Sequence, residues 1–153
     1  MNSKTTKLNK VKLIKGKKIE DKRGNIRFSN SFVLNKYKRF YQIDLPKKGM
    51  IRAFHGHMQE SKAVFPISGS LLLCVVNLDN PIKPSRKNKV RKFILDSNQP
   101  SVIEIPPKYA NGIMSLEKNT RVIFFSDKTL DQSKKDDYRF SKNYWGDIWN
   151  EKD

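Results

Sequence analysis

Short runs of β-branched and aromatic residues recur along this chain, and turn-forming segments such as residues 46–49 and 79–81 separate them. No long amphipathic pattern of helical period lies between the runs, which argues against strands that alternate with helices. The spacing therefore predicts a single all-β domain, either a sandwich or a barrel. The predicted strands are residues 39–45, 50–54, 62–67, 71–78, 90–95, 101–105, 113–116 and 121–126.

The rest of the chain divides into flanking segments around this β-rich region. The length of 153 residues suits one domain with a hydrophobic core. Residues 1–18 form a basic N-terminal segment, and residues 81–88 form a predicted polar loop. Residues 127–153 are rich in charged and aromatic side chains, so we expect a C-terminal tail that packs over the barrel or over a partner subunit.

The charge of the chain is strongly positive, with 32 Lys and Arg residues against 15 Asp and Glu residues. Such a balance suits an anionic partner. The lysines are spread along the whole length, and aromatic residues do not alternate with them in an RNA-binding pattern. This distribution argues against nucleic acid and leaves an anionic membrane surface or an anionic small substrate.

The single cysteine and the hydropathy of the chain indicate in which cellular compartment the protein is expected. The single cysteine, Cys74, lies inside an apolar run, which predicts a buried thiol in a reducing compartment. That run, residues 71–76, is far shorter than the ~18 residues that a membrane-spanning helix needs. No apolar segment follows the basic residues at the start, so the sequence predicts no signal peptide. We therefore expect a cytoplasmic protein without a membrane span.

The only two histidines, His55 and His57, are separated by one residue. Alternate residues of a strand share a face, so both imidazoles point the same way if this segment is extended. Arg52 precedes them, and Lys62 begins the next predicted strand. A barrel of such strands would carry two imidazoles, a guanidinium and an ammonium on its inner wall.

Two facing histidines first suggest a metal site. The spacing matches the first metal-binding motif of the cupins, G-x5-H-x-H-x3,4-E-x6-G, between Gly49 and Gly69. Lys62 occupies the position of the glutamate ligand, and Asn111 occupies that of the histidine in the second motif, P-x-G-x2-H. In a partly buried site, the electrostatic repulsion between an ammonium and a neighbouring divalent ion would amount to several kcal/mol. We expect the cupin-type jelly roll without a metal or other cofactor, with a metal-dependent cupin oxygenase as an alternative.

A lysine beside a neutral histidine suits proton chemistry on an anionic or carbonyl-bearing substrate. The imidazole can remove a proton from the carbon next to a carbonyl, and the ammonium can stabilise the resulting enolate oxygen. Histidine fits this role because its unperturbed pKa lies near the operating pH. A purely structural role would require partners for four polar side chains in a small core.

Four segments, in order, resemble the dTDP-4-dehydrorhamnose 3,5-epimerase family of cupin-fold sugar epimerases, over a region from about Glu20 to the C-terminus. Residues 21–24 (DKRG) resemble its D-x-R-G, and residues 49–55 (GMIRAFH) resemble its G-V-L-R-G-L-H. Residues 62–69 (KAVFPISG) and 105–112 (IPPKYANG) are similar to its K-L-V-x-V-x-x-G and I-P-P-G-F-A-H-G. The R-x-x-H-x-H string is also similar to that of the cupin-fold sugar 3,4-ketoisomerases.

The resemblance implies metal-independent epimerisation of a 4-keto nucleotide-activated deoxysugar, of the 3- or 3,5-epimerase type. Such a reaction would serve the synthesis of sugars for a surface polysaccharide such as lipopolysaccharide. It implies that His55 is the catalytic base and that Lys62 steadies the enolate. We also expect a homodimer in which the N-terminal strand region packs on the partner. The expected substrate-binding residues are Arg23, Arg52, His57, Gln42, Asn111, Tyr109 and Tyr138.

Two positions depart from the family pattern. Phe124 takes the place of the catalytic tyrosine and cannot donate a proton, so Tyr109 and Tyr138 are candidates for the acid. The family also has a C-terminal aspartate that orients the base. This chain has no carboxylate at the matching position, and Asn143 is the nearest equivalent residue. These departures keep three alternatives open: epimerisation at one carbon, 3,4-ketoisomerisation, and nucleotide-sugar binding without catalysis.

Overall fold

A computed structural model describes residues 10–150, which form twelve β-strands and one short helix. The strands are β1 (Lys12–Lys15), β2 (Lys17–Asp21), β3 (Gly24–Phe28), β4 (Arg39–Leu45), β5 (Ile51–His57), β6 (Lys62–Ser68), β7 (Ser70–Asn77), β8 (Val90–Asp96), β9 (Ser101–Ile105), β10 (Tyr109–Ser115), β11 (Thr120–Ser126) and β12 (Tyr138–Arg139). The helix α1 (Leu130–Lys134) lies between β11 and β12.

Ten of the strands form two five-stranded antiparallel sheets. The first sheet has the order β1-β9-β6-β11-β4, and the second has the order β12-β5-β10-β7-β8. Strands distant in sequence are neighbours in both sheets, and the chain crosses repeatedly from one to the other, as in a jelly roll. The prediction of an all-β, cupin-type jelly roll in a single domain is therefore confirmed.

The main core lies between the two sheets, and β7 shows why its sequence is continuously apolar. Leu71, Leu73 and Val75 point into this core, where they are almost fully buried. The intervening Leu72 and Cys74 point to the other face of the sheet and are equally buried in a second cluster. A strand that is covered on both faces carries apolar residues at every position.

The C-terminal tail supplies the cover for that outer face. Phe54 of β5 packs edge-on against Trp145, with ring centroids 4.9 Å apart. Phe140 and Tyr144 pack on the same tryptophan. From residue 140 to residue 150 the predicted tail thus lies against the outside of the second sheet, whereas its earlier part, residues 130–137, lines the pocket described below. β12 pairs with β5 at the edge of the second sheet.

The observed strands mostly agree with the predicted ones, and two differences affect the site. The strand predicted for residues 50–54 continues to His57, and the one predicted for 113–116 begins at Tyr109. The sequence did not predict β1, the hairpin of β2 and β3, α1 or β12. The hairpin strands are mostly polar, and α1 is too short to show a helical period.

The expected basic N-terminal segment, residues 1–18, is only partly visible. Residues 1–9 and 151–153 lie outside the described part of the chain. Lys12–Lys15 form β1, which pairs with β9 at the edge of the first sheet. Between residues 10 and 150, no helix has the length and apolar character needed to cross a membrane.

Candidate active site

A pocket of about 310 Å³ lies between the two sheets and is open to solvent. Alternate residues of β4 line it, as do His55 and His57 of β5, because side chains at positions i and i+2 share a face. The two walls of the pocket therefore come from different sheets. The second sheet contributes Arg52, His55, His57, Asn111 and Arg139, and the first contributes Arg39, Tyr41, Lys62 and Phe124.

His55 is a half-buried imidazole on the wall formed by β5. Burial lowers the pKa of His55 below its ordinary value, and the cations of Lys62 and Arg139 lower it further. The carboxylate of Asp137 acts in the opposite direction without reversing the shift in pKa. His55 is therefore neutral near pH 7 and can accept a proton.

His57 is a second neutral imidazole, and its tautomer follows from its contacts. Its Nδ1 lies 2.7 Å from the backbone oxygen of Asp136, which can only accept, so Nδ1 carries the proton. Nε2 is buried and has no hydrogen-bond partner among the described residues. Burial, followed by the charge of Lys62, lowers the pKa of His57. The lone pair of Nε2 is therefore free.

Glu60 is a buried carboxylate in the lining of the pocket. It accepts hydrogen bonds from the hydroxyl groups of Ser126, at 2.7 Å, and Ser133. Arg39 lies 3.3 Å and Lys62 3.7 Å from its oxygens. Burial alone would raise the pKa of Glu60, but the hydrogen bond from Ser133, the charge of Lys62 and the bond from Ser126 together lower it. The carboxylate stays ionised and balances the cations around it.

Asp136 fixes the turn that carries Glu60. Its carboxylate accepts three backbone hydrogen bonds, from Met58 at 2.8 Å, Gln59 at 2.8 Å and Glu60 at 2.9 Å. Its own backbone oxygen holds His57. One buried residue from the segment after α1 thereby positions both the turn and the imidazole. The sequence did not predict this role, because Asp136 lies 76 residues or more from its partners.

Lys62 is a buried cation with a defined orientation. Its Nζ donates a hydrogen bond of 2.8 Å to the hydroxyl oxygen of Tyr41. The ring of Tyr41 stacks on that of Phe124, with centroids 5.3 Å apart and planes 5° from parallel. These contacts hold the ammonium at the wall of the pocket opposite to that of His55.

The sequence predicts the strand that carries Tyr41 but does not single out this residue. Arg39, Tyr41 and Ile43 all line the pocket, so the inward face of β4 comprises its odd-numbered residues. Gln42, which was expected to contact the nucleotide, therefore lies on the outer face and donates to Asp44 at 2.7 Å. The alternation of β4 carried the signal for Tyr41, but the sequence alone did not assign its inner face.

Five of the expected site residues line the pocket together. They are Arg52, His55, His57, Lys62 and Asn111. Asn111 pairs with His55 across β10 and β5, and its amide donates to the backbone oxygen of His55 at 3.4 Å.

Arg23 is placed differently from the expectation that it contacts the substrate. It lies in the turn between β2 and β3, where Gly24 adopts a φ of 122°. Its side chain is 84% exposed and forms an ion pair of 2.7 Å with Asp21. The hairpin pairs with neither large sheet, and it holds Arg23 away from the pocket of its own chain.

The two tyrosines proposed as acids do not line the pocket. Tyr109 lies on the inner face of β10 but packs against the core between the sheets. Tyr138 is flanked by Asp137 and Arg139, which both line the pocket, so the alternation of β12 turns Tyr138 away. Asp137 lines the pocket, and its charge acts to raise the pKa of His55. Asn143, the residue expected nearest to the base, does not line the pocket.

Metal-ligating residues do not cluster in the described part of the chain. Between residues 10 and 150, no group of three or more His, Cys, Asp and Glu side chains is placed to hold a metal ion. Lys62 and Asn111 occupy the two positions at which the cupin motifs carry further ligands.

A family model described as dTDP-4-dehydrorhamnose 3,5-epimerase matches residues 5–153. A comparison with curated protein sequences finds no significant match.

Several solved structures share the fold. The dTDP-4-dehydrorhamnose 3,5-epimerase of Sulfolobus tokodaii is 24% identical with a TM-score of 0.72, over 92% of this chain and 82% of that one. A variant of the 3,4-ketoisomerase QdtA of Thermoanaerobacterium thermosaccharolyticum, in complex with TDP-4-keto-6-deoxyglucose, is 19% identical with a TM-score of 0.63, over 90% and 93%. The 3′-monoepimerase ChmJ of Streptomyces bikiniensis, in complex with dTDP-quinovose, is 11% identical with a TM-score of 0.67, over 86% and 70%.

Proposed function

The chain belongs to the dTDP-4-dehydrorhamnose 3,5-epimerase family, and we propose that it epimerises a 4-keto nucleotide-activated deoxysugar without a metal. One observation carries the proposal: a neutral imidazole, His55, and a buried ammonium, Lys62, line the same pocket from opposite sheets. A base and a cation in this arrangement can act on the two ends of one H–C–C=O unit.

In the proposed reaction, His55 removes the proton from a carbon next to the ketone. The C–H electrons form a C=C bond, and the carbonyl oxygen becomes an enolate oxygen that Lys62 stabilises. A positioned base contributes about 10²–10⁴-fold. A preorganised charge at the developing oxyanion contributes about 3–4 kcal/mol more. Return of a proton to the opposite face of the carbon gives the epimer.

Three guanidinium groups suit the anionic part of such a substrate. Arg39, Arg52 and Arg139 line the same pocket. Guanidinium groups bind phosphate oxygens through paired hydrogen bonds. The QdtA and ChmJ complexes hold thymidine diphosphate sugars, which supports a substrate of that class for this chain. Such a substrate would serve surface polysaccharide synthesis in the cytoplasm.

Solvent exchange tests the proposal directly. The protein is incubated in D₂O with TDP-4-keto-6-deoxyglucose and other 4-keto nucleotide sugars, and deuterium at the carbons that flank the ketone is followed by NMR. We expect deuterium incorporation together with an epimer, and at least a ~100-fold lower rate for His55→Asn. Tight binding by calorimetry without exchange for any sugar would instead indicate a binding protein without catalysis.

The tautomer of His57 favours a second candidate function, 3,4-ketoisomerisation. That reaction moves a ketone to the neighbouring carbon and needs a group that carries protons between two carbons. His57 lines the same pocket as His55, and its buried Nε2 has no hydrogen-bond partner among the described residues. A product whose ketone has moved, and whose formation is lost in His57→Asn but not in His55→Asn, would select this function.

We also propose that the chain forms a homodimer through its N-terminal hairpin. Ile19 and Ile26 form a cross-strand pair in the hairpin, yet both are about half or more exposed. Phe40, on the outer face of the edge strand β4, is also exposed. A partner that covers this surface would bury apolar area and could bring Arg23 to a pocket of the dimer. Light scattering should give twice the chain mass, and Ile26→Lys should give monomers.

A further inference from the structure

We propose that Tyr41 is the catalytic acid, which delivers a proton to the sugar carbon on the face opposite to His55. This inference deepens the proposed function and rests on it. The family resemblance gave no role to Tyr41. The usual acid is absent from this chain, because Phe124 takes the place of the family's tyrosine and carries no acidic proton.

The hydrogen bond of Tyr41 has a direction that leaves its proton available. Lys62 is an ammonium and can only donate, so the hydroxyl oxygen of Tyr41 accepts in their 2.8 Å contact. The hydroxyl hydrogen must therefore point elsewhere, and no acceptor for it occurs among the described residues. Tyr41 lines the pocket, so the substrate is the remaining partner for that hydrogen.

The same contact stabilises the product of proton transfer. A tyrosine that gives up its proton becomes a phenolate, and the ammonium of Lys62 already touches the oxygen that would carry the charge. A charge-assisted hydrogen bond is about twice as strong as a neutral one. Donation therefore forms an ammonium–phenolate ion pair across a contact that is already in place.

The two sheets place the acid and the base on different walls. His55 belongs to β5 of the second sheet, whereas Tyr41 belongs to β4 of the first sheet. A sugar ring between the walls presents one face to each. Epimerisation requires removal of a proton from one face and addition to the other, which this arrangement provides.

Ser133 and Lys62, which also line the pocket, are less suitable as the acid. Ser133 donates its hydroxyl hydrogen to Glu60. Lys62 is assigned to the enolate oxygen, and Phe124 carries no proton. Tyr41 lies on the wall opposite to His55, and its hydroxyl hydrogen has no acceptor among the described residues.

The proposed step balances in protons and electrons. The enolate electrons re-form the C=O bond while the C=C electrons take the proton of Tyr41, which leaves a phenolate and an inverted carbon. The imidazolium of His55 then loses its proton to water, and the phenolate takes one from water. The enzyme returns to its starting state without a further reactant.

The variant Tyr41→Phe separates this role from that of the base. It keeps the ring and its stack on Phe124, so we expect the fold to persist. In D₂O with TDP-4-keto-6-deoxyglucose, His55 should still remove the proton and return deuterium to the same face. We expect epimer formation to fall at least ~100-fold, while deuterium enters the unchanged sugar within ~10-fold of the wild-type rate. Tyr37→Phe is the control, because Tyr37 binds Glu104 away from the pocket.

Each other outcome would overturn the assignment. Epimer formation by Tyr41→Phe near the wild-type rate would mean that Lys62 or water is the donor. Loss of both exchange and epimer, in a folded variant that still binds TDP by calorimetry, would mean that Tyr41 acts before proton return. Absence of exchange in the wild type would instead refute the proposed function itself.

Discussion

Replacement of Asp136 by asparagine should destabilise the fold and test how the site is held. The carboxylate accepts three buried backbone hydrogen bonds, two of them at one oxygen, from Gln59 and Glu60. Asparagine can keep that oxygen as an acceptor, but its NH₂ group would then face the backbone N–H of Met58. One buried donor without a partner costs about 1–3 kcal/mol, and the two remaining bonds lose their charge. We expect a loss of about 2–4 kcal/mol in the free energy of unfolding.

Urea unfolding followed by tryptophan fluorescence measures this loss. Asp44→Asn is the matched control, because Asp44 is exposed and contacts only surface partners. We expect the control to lie within about 0.5 kcal/mol of the wild type. A change of that small size for Asp136→Asn would refute the inference that this carboxylate organises the turn between β5 and β6.

Three further predictions concern other parts of the protein. Lys62→Met should lower kcat of the epimerase by about 10²–10³-fold, whereas the exposed Lys48→Met should not; equal kcat values would contradict the role of the ammonium. Since burial lowers the pKa of His57 below 6.5, the unfolded chain binds more protons there. The free energy of unfolding should therefore fall as the pH drops from about 6.5 through the lowered pKa, by up to about 1.4 kcal/mol per pH unit. His57→Gln should reduce this slope in urea titrations. An unchanged slope would refute the lowered pKa of His57. Lys108 adopts a φ of 72°, which strains the backbone of a residue other than glycine. Lys108→Gly should therefore raise the free energy of unfolding by about 0.5–1 kcal/mol. A lower free energy of unfolding in this variant would contradict strain at this position.

The sequence was sufficient for the fold and for the two histidines. Period-2 alternation and turn residues located the main strands, and the same alternation placed His55 and His57 on one face. Backbone geometry alone places residues i and i+2 of a strand on one face, so this prediction did not depend on contacts with distant residues.

Residues whose roles depend on tertiary contacts were not predictable in the same way. Glu60 lies in a loop between β5 and β6, where a charged residue is normally exposed, yet Ser126 and Ser133 bury it. Tyr41 was missed because Phe40, its apolar neighbour, is the side chain that β4 exposes. The sequence pattern of this strand gives no clear sign of which face is inside.

A crystal structure of His55→Asn with TDP-4-keto-6-deoxyglucose would show whether the base, the ammonium and the acid surround one sugar. We expect the sugar ring to lie between the two sheets, with its ketone oxygen about 3 Å from Lys62 Nζ. One ring face should meet residue 55 and the other should meet the hydroxyl of Tyr41. A sugar bound outside this pocket, or an ammonium of Lys62 turned away from the ketone, would contradict it.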